Sequence, residues 1–389
     1  MENIISIKAR EILDSRGDPT VEVELETENH IKSIASAPSG ASVGSHEAIE
    51  LRDNDPNRYM GMGVLKAIEN VNNIISQALV GQDVQDQKAI DDTLNRLDGT
   101  PHKSRLGANA ILAVSVASAK AAALSKKISL YQYIGELAGF SPQSLPKPMF
   151  NFFEGGKHAD NDLVIQEFLV LPDKGSFKEN YRCGSEMFHV LRKILKDRKL
   201  PIAVGHEGGF APNLPSDEDA LKLIREAGQV NIGLDLAGNV PNGMNLEDIV
   251  SRYTIVSLED PAGEDDWEGW STLTQKLGQR VMIVGDDLLA SDIERLKQAV
   301  DKKAVNAVII KPNQIGTVSE AIEFVKFAKQ NNLRIVASHR SGETEDPFIA
   351  DFAVGVEADY AKFGAPSRGE RICKYNRLLR IEEELNGGR

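Results

Sequence analysis

The sequence predicts a small α+β domain followed by a closed α/β barrel, and two observations carry that reading. Seven strand-like segments recur in the second half: PIAVGHE, VNIGLD, YTIVSLED, VMIVGDD, NAVIIKP, LRIVASH and ADYAKFG. Each closes on an ionisable residue, namely Glu207, Asp235, Glu259, Asp286, Lys311, His339 and Lys362, at steps of 28, 24, 27, 25, 28 and 23 residues. One strand, one helix and two short loops occupy about that length. In a closed barrel of parallel strands these ends would converge on one mouth, where active sites sit. The first third instead places strands before helices without mixing them, the pattern of an α+β domain.

The elements follow in chain order. IISIKAREIL, TVEVELET and KSIASA read as strands, and TVEVELE alternates as a sheet with one wet face does. VLKAIENVNNIISQAL puts Val64, Ala67, Ile68, Val71, Ile74 and Ile75 on one helical stripe. DQKAIDDTLNRL, an Ala-rich run over 107–124 and LYQYIGELAG, ended by glycine, continue the helical series. The Ala-rich run contains Asn109, Ser115, Ser118 and Lys120, and reads as a buried core helix rather than a membrane span. The proline-marked stretch FSPQSLPKP, residues 140–148, divides an N-terminal domain (1–139) from a barrel domain (140–389). PSGASVGSHEA, residues 38–48, is a Gly/Ser-rich loop suited to a lid, although any loop can have that composition.

Composition bounds the function. The 389 residues suffice for two domains, and the net charge of −13 argues against nucleic acid as a partner. An anionic substrate stays compatible, because bound cations reverse the local sign. Two cysteines, Cys183 and Cys373, have neither metal-ligand nor redox spacing. With no signal-type apolar stretch in MENIISIKAREIL, the expectation is a cytoplasmic protein without a membrane partner.

The chemistry sits at the strand ends. Asp235, Glu259 and Asp286 can direct oxygens at one centre, and all-oxygen ligation suits Mg²⁺; solvated acids at helix N-termini are the plainer alternative. Lys311 beside such a metal would have a lowered pKa and could act as a general base, or it could simply pair with an acid. Lys362 would add positive charge or meet a substrate carboxylate. SHRSGETED supplies His339, Arg340 and Ser341, suited to a phosphate, unless Arg340 pairs structurally with an acid such as Glu343. EGGKHADN offers His158 on a polar loop, and QEF offers Gln166 and Glu167. Glu167 and Glu207 could form a proton-sharing pair or be ordinary surface acids.

Together these stretches closely resemble the enolase (phosphopyruvate hydratase) family, nearly end to end. The resemblance rests on DSRGDPTVEVE, APSGAS, DGTPHKSRLGANAILAVS, GGKHA, QEF, EGGFAPN, SLEDP, VGDDL, IIKPNQIGT, SHRSGETED and KYNRLLRIEEEL. It implies an N-terminal α+β lid domain and an enolase-type α/β (TIM-like) barrel. It also implies a Mg²⁺-dependent lyase that dehydrates 2-phospho-D-glycerate to phosphoenolpyruvate through a metal-stabilised enediolate. By resemblance, Lys311 takes the α-proton, and Glu207, positioned with Glu167, protonates the departing hydroxyl. Asp235, Glu259 and Asp286 hold one Mg²⁺, and Ser42 helps hold a second. Arg340 and Ser341 bind phosphate, Lys362 contacts the carboxylate, Gln166 contacts substrate, and His158 and His339 line the pocket. A homodimer or larger homo-oligomer is expected on the same ground.

Several positions depart from the family pattern. His206 stands where an acid usually precedes the glutamate of EGGFAP. Only 24 residues separate Asp235 from Glu259, about half the family's length there. Phe363 replaces the threonine of Lys-Thr-Gly, and Pro312 follows the base. These changes leave the metal triad and base intact. They admit a second expectation, a paralogue acting on a phosphonate relative of phosphoglycerate, and a third, an inactive binding protein on the same fold.

Overall fold

A computed structural model describes residues 1–40 and 46–387 and divides into two compact units. Ser42 lies outside the described residues, as does the middle of the expected lid. The first unit comprises Met1–Gln143 with Lys311–Phe327 and Arg340–Glu357; the second comprises Ser144–Ile310, Ala328–His339 and Ala358–Arg389. The division at residue 143 falls inside the proline-marked stretch, but two later segments return to the first unit.

In the first unit, β1 (Ile4–Leu13), β2 (Pro19–Thr27) and β3 (Lys32–Ser36) form an antiparallel sheet in that order. The alternation of β2 buries Val21, Val23 and Leu25 and turns Glu22 and Glu24 to the other face, where both meet Arg10. The stripe from Val64 is helical over Leu65–Asn70 and Ser76–Leu79, with a π-helical segment, Val71–Ile75, between them. The wider turn rotates the stripe, so Val71 and Ile75 are buried while Ile74 is only half-buried. It also brings the Asn72 side chain to the edge of β1, where its Oδ1 accepts from the Ala9 N–H at 2.8 Å.

The remaining helices of this unit have legible ends. Asp86 caps Gln87–Asp98, and Ser129 with Gln132 forms a capping box on Leu130–Ala138. Gly99 and Gly139 close those two helices in the left-handed region. Ala108–Lys126 is long and apolar enough to cross a membrane, yet its apolar window is 83% buried within the protein. Small side chains all round let neighbours approach every face. This bears out a core helix.

A buried polar network crosses this core. Asp91 accepts from Ser115 Oγ at 2.6 Å, from Gln87 Nε2 at 3.0 Å and from the Ser319 N–H at 2.9 Å. Burial pushes its carboxyl up to about 6, against those hydrogen bonds. The folded protein therefore binds a proton more tightly than the unfolded chain. Stability should rise as pH falls from 7 towards 4, by about 2 kcal/mol from this group. Asp91→Asn should flatten that rise in denaturant titrations at the two pH values.

The second unit is an eight-stranded closed barrel. Its strands are β4 (Lys147–Glu154), β5 (Glu167–Leu171), β6 (Asn231–Asp235), β7 (Ile255–Glu259), β8 (Met282–Gly285), β9 (Ala307–Ile310), β10 (Arg334–Ser338) and β11 (Tyr360–Lys362). Six of the seven expected strands are present. The seventh, PIAVGHE, is not a barrel strand: Val204 makes one isolated bridge to Phe210 and is 40% exposed. A barrel strand is covered on both faces, and this segment is not. Its place is taken by β4, buried throughout after Lys147, and by β5.

The barrel is also not wholly parallel, because β5 runs antiparallel to both β4 and β6. No α-helical crossover lies between β4 and β5, only a 3₁₀ turn at Gly156–His158, so the chain folds straight back. Met149, Leu169, Met282, Val284, Ile309 and Val336 fill the interior.

Candidate active site

Strand register assembles the acids. Glu154 opposes Glu167, Glu167 opposes Asp235, and Asp235 opposes Glu259 across four neighbouring strands. Glu167 reaches this mouth only because β5 is reversed, which puts its first residue level with the last residues of its neighbours. Glu259 opposes Val284, so Asp286 lies two residues further along the same inward alternation.

Ligand-capable atoms of Glu167, Asp235 and Glu259 lie within 4.8 Å of one another. Asp286 falls instead into a second such group with Asp260 and Asp287. The expected triad is thus shared between two adjacent groups. Asp260, not anticipated from sequence, accepts the Asp286 N–H at 3.0 Å and the Asp287 N–H at 2.8 Å, and so shapes the loop that presents Asp286.

Lys362 sits among these carboxylates. Its Nζ is 2.7 Å from Glu259 Oε1, 2.7 Å from Glu167 Oε2 and 3.5 Å from Asp235 Oδ2. Burial would lower its pKa, but Glu167 and Glu259 outweigh it and hold the ammonium well above its ordinary value. Burial, then Asp235, pushes Glu259 well above the carboxylate range despite Lys362. Burial, then Asp287, does the same to Asp260. Gln166 donates from Nε2 to Asp235 Oδ2 at 3.1 Å.

A second cluster surrounds Glu207. Its Oε2 accepts from Asn151 Nδ2 at 2.9 Å and lies 2.9 Å from His339 Nε2. Arg371, wholly buried, donates from Nη1 to His339 Nδ1 at 2.8 Å. A guanidinium has no acceptor, so Nδ1 must accept and the ring proton belongs on Nε2, facing Glu207. Burial, with Arg371, draws His339 down to about 3 against the pull of Glu207, so the ring is neutral. His158 Nδ1 is 3.3 Å from Glu167 Oε1 and 3.7 Å from Glu207 Oε1. Burial would lower His158, but Glu207 and Glu167 raise it to about 9.

The acids of this cluster are therefore unlike. Burial raises Glu207, yet His339, His158 and Arg371 overcome it and hold the carboxyl well below the usual range. Burial and Glu207 together push Glu167 up to about 7. The Glu167–Glu207 pair is buried rather than superficial, and Glu167 holds a proton more tightly than Glu207 does. His206 contributes its backbone carbonyl, which accepts from Arg371 Nη2 at 3.0 Å.

Sequence reasoning missed Glu154, Asn151 and Arg371. Glu154 Oε2 accepts the Glu207 N–H at 3.0 Å, and its other oxygen accepts from Gly209, so it clasps the loop carrying Glu207. Burial and Glu207 push Glu154 up to about 8. The available signal was a polar residue within an otherwise apolar strand, KPMFNFFE. One departure, and the glycine that follows it, acquire reasons here. Phe363 is fully buried against Tyr375, with ring centroids 5.6 Å apart. Gly364 has φ +88°, and a Cβ there would stand 2.7 Å from the Glu207 carbonyl oxygen.

The other predicted residues belong to the first unit. Lys311 directly follows the last residue of β9 and is half-buried. Pro312 is the first residue of the short helix Pro312–Ile315, a position that suits its fixed φ and missing N–H. Arg340 Nη1 donates to Glu47 Oε2 at 2.9 Å and to Asn313 Oδ1 at 3.0 Å. Glu47 is thus an acidic partner of its guanidinium, while Glu343 accepts the Arg340 backbone N–H. Ser341 is buried, and its carbonyl accepts from Ser15 Oγ at 3.3 Å.

The family model of the enolase N-terminal domain matches residues 4–134, and that of the enolase C-terminal TIM barrel domain matches 142–240 and 242–388. The chain belongs to the enolase family. Enolase-type Mg²⁺ chemistry suits the donor set. Glu167, Asp235 and Glu259, with Asp286 nearby, are buried, oxygen-only and crowded enough that Glu259 resists ionisation with Lys362 as its close cation. A hard dication relieves that crowding, and oxygen ligands select Mg²⁺ or a similar ion. His158, Glu167 and Glu207 also converge, but a histidine held protonated makes that group an ion-pair cluster.

Proposed function

We propose that this enolase-family chain is a Mg²⁺-dependent lyase that removes the α-proton of a phosphorylated carboxylate, with 2-phospho-D-glycerate as substrate and phosphoenolpyruvate as product. The observation that carries this reading is the in-register row Glu167, Asp235 and Glu259 around a buried lysine at the barrel mouth. Two ions are proposed, one on Asp235, Glu259 and Asp286, and one on Ser42 and the substrate. Mg²⁺ bound there would neutralise the substrate carboxylate and take up the negative charge that builds as the proton leaves.

The roles of Lys311, Arg340, Ser341 and Lys362 are those that the family resemblance implies. Lys311, next to the last residue of β9, takes the proton. Arg340 and Ser341 hold the phosphate, and Lys362 offsets part of the carboxylates' charge and meets the substrate carboxylate. On the departing side the proton starts on Glu167 or His158, which lie beside Glu207 and hold a proton more tightly than it does, and passes through Glu207 to the leaving hydroxyl.

A second reading is favoured by one observation: Glu207 is held ionised, which weakens it as an acid. A paralogue that abstracts the proton of a phosphonate relative, without this dehydration, would tolerate that state. Phosphoenolpyruvate absorbance on mixing with 2-phosphoglycerate and Mg²⁺ separates the two. Turnover that chelator abolishes supports the first reading. Exchange of the α-proton without absorbance growth supports the second, and neither signal rejects both.

A further inference from the structure

The two mouths of the barrel carry opposite charge. Inward positions recur at every second residue of a strand. Lys147, Met149 and Asn151 follow one another on β4, and Arg334, Val336 and Ser338 on β10. Met149 and Val336 belong to the apolar plug, with Leu169, Met282 and Ile309. Beyond that plug in one direction lie the carboxylates. In the other direction, at the end where the seven parallel strands begin and the reversed β5 finishes, a cavity of about 420 Å³ opens. All eight strands line it with a residue at or beside their ends.

Three cations line this cavity, Lys147, Arg280 and Arg334, against one carboxylate, Asp173. That balance is contrary to a chain of net charge −13. Lys147 Nζ lies 3.0 Å from Asp173 Oδ1. Among the described residues, Arg280 Nη2 donates only to a neutral hydroxyl, Ser251 Oγ, at 2.9 Å. Among the described residues, no hydrogen bond or ion pair engages the guanidinium of Arg334, which is exposed. A second cavity of about 370 Å³ shares Leu171, Pro172, Asp173 and Asn231 with the first and adds Lys174 and Arg225. Excess positive charge thus continues from one hollow into the next.

We propose that this mouth of the barrel is a binding site for a small anion carrying two or more phosphoryl charges, separate from the carboxylate site. Guanidinium groups present forked donors that match phosphoryl oxygens, and a concave wall concentrates their field. The cations come from strand ends spaced around the rim: β11 separates Lys147 from Arg334, and β9 separates Arg334 from the segment bearing Arg280. A single charge cannot satisfy all three, whereas an oligophosphate carries several phosphoryl groups to share among them. Tyr360 and Gln279 supply neutral polar groups on the same wall.

Calorimetric titration of the full chain with inorganic pyrophosphate, in chelator, tests this. Arg280→Ala/Arg334→Ala should weaken binding by about tenfold or more, because two charge-assisted contacts are lost. Arg340→Ala should bind as wild type does, and basal turnover of the double variant should be unchanged. Arg334→Ala alone, which removes an exposed and unbonded side chain, gives the same test with a smaller shift should the double variant fold poorly. Absence of wild-type binding at millimolar pyrophosphate would overturn the proposal. So would unchanged affinity in both rim variants, or loss of binding in Arg340→Ala.

Discussion

Lys311→Ala should lower turnover by about 10²–10⁴, the usual worth of a positioned general base. Mg²⁺ affinity should be unchanged, because Lys311 is not among the oxygen donors. The effect belongs to kcat rather than KM if the amine acts only while the proton is moving. Steady-state kinetics with metal titration by calorimetry separates these quantities. Loss of Mg²⁺ affinity with unchanged kcat would remove Lys311 from the proton transfer.

Lys362→Met should destabilise the metal-free protein by about 3–5 kcal/mol, since it leaves buried carboxylates without their close cation. Lys362 is 2.7 Å from both Glu259 and Glu167, so no neutral side chain of similar length can replace it. Excess Mg²⁺ should restore part of that loss by binding only the folded state. The wild-type protein should gain less from the same Mg²⁺, because its ammonium already offsets part of the charge. Denaturant unfolding with and without Mg²⁺ measures both gains. Equal gains in the two proteins would show that the ion does not bind among the carboxylates around Lys362.

Much of the fold and of the site was legible in the sequence, for identifiable reasons. The strand ends at Asp235, Glu259 and Lys362 stood out because packing alone seldom closes an apolar run with a charged group. Strand direction was not legible. Apolar alternation is the same in either direction, so the reversal of β5, which delivers Glu167 to the mouth, needed the missing crossover helix to reveal it. PIAVGHE has a strand's composition but lies exposed, while KPMFNFFE, with its proline and asparagine, is a barrel strand. Long-range partners were equally hidden. Arg340 has Glu343 three residues away, yet its guanidinium pairs with Glu47. Arg371 fixes the His339 tautomer from a helix more than thirty residues later.

The proposed function requires a Mg²⁺-dependent base that removes the α-proton of a phosphorylated carboxylate. Proton NMR of 2-phospho-D-glycerate in deuterated buffer measures this directly. With Mg²⁺, the C2 proton signal should vanish as exchange or dehydration proceeds; it should persist in chelator and with Lys311→Ala. A C2 signal that persists beside wild-type protein saturated with Mg²⁺, or one that vanishes equally fast with Lys311→Ala, would contradict the account.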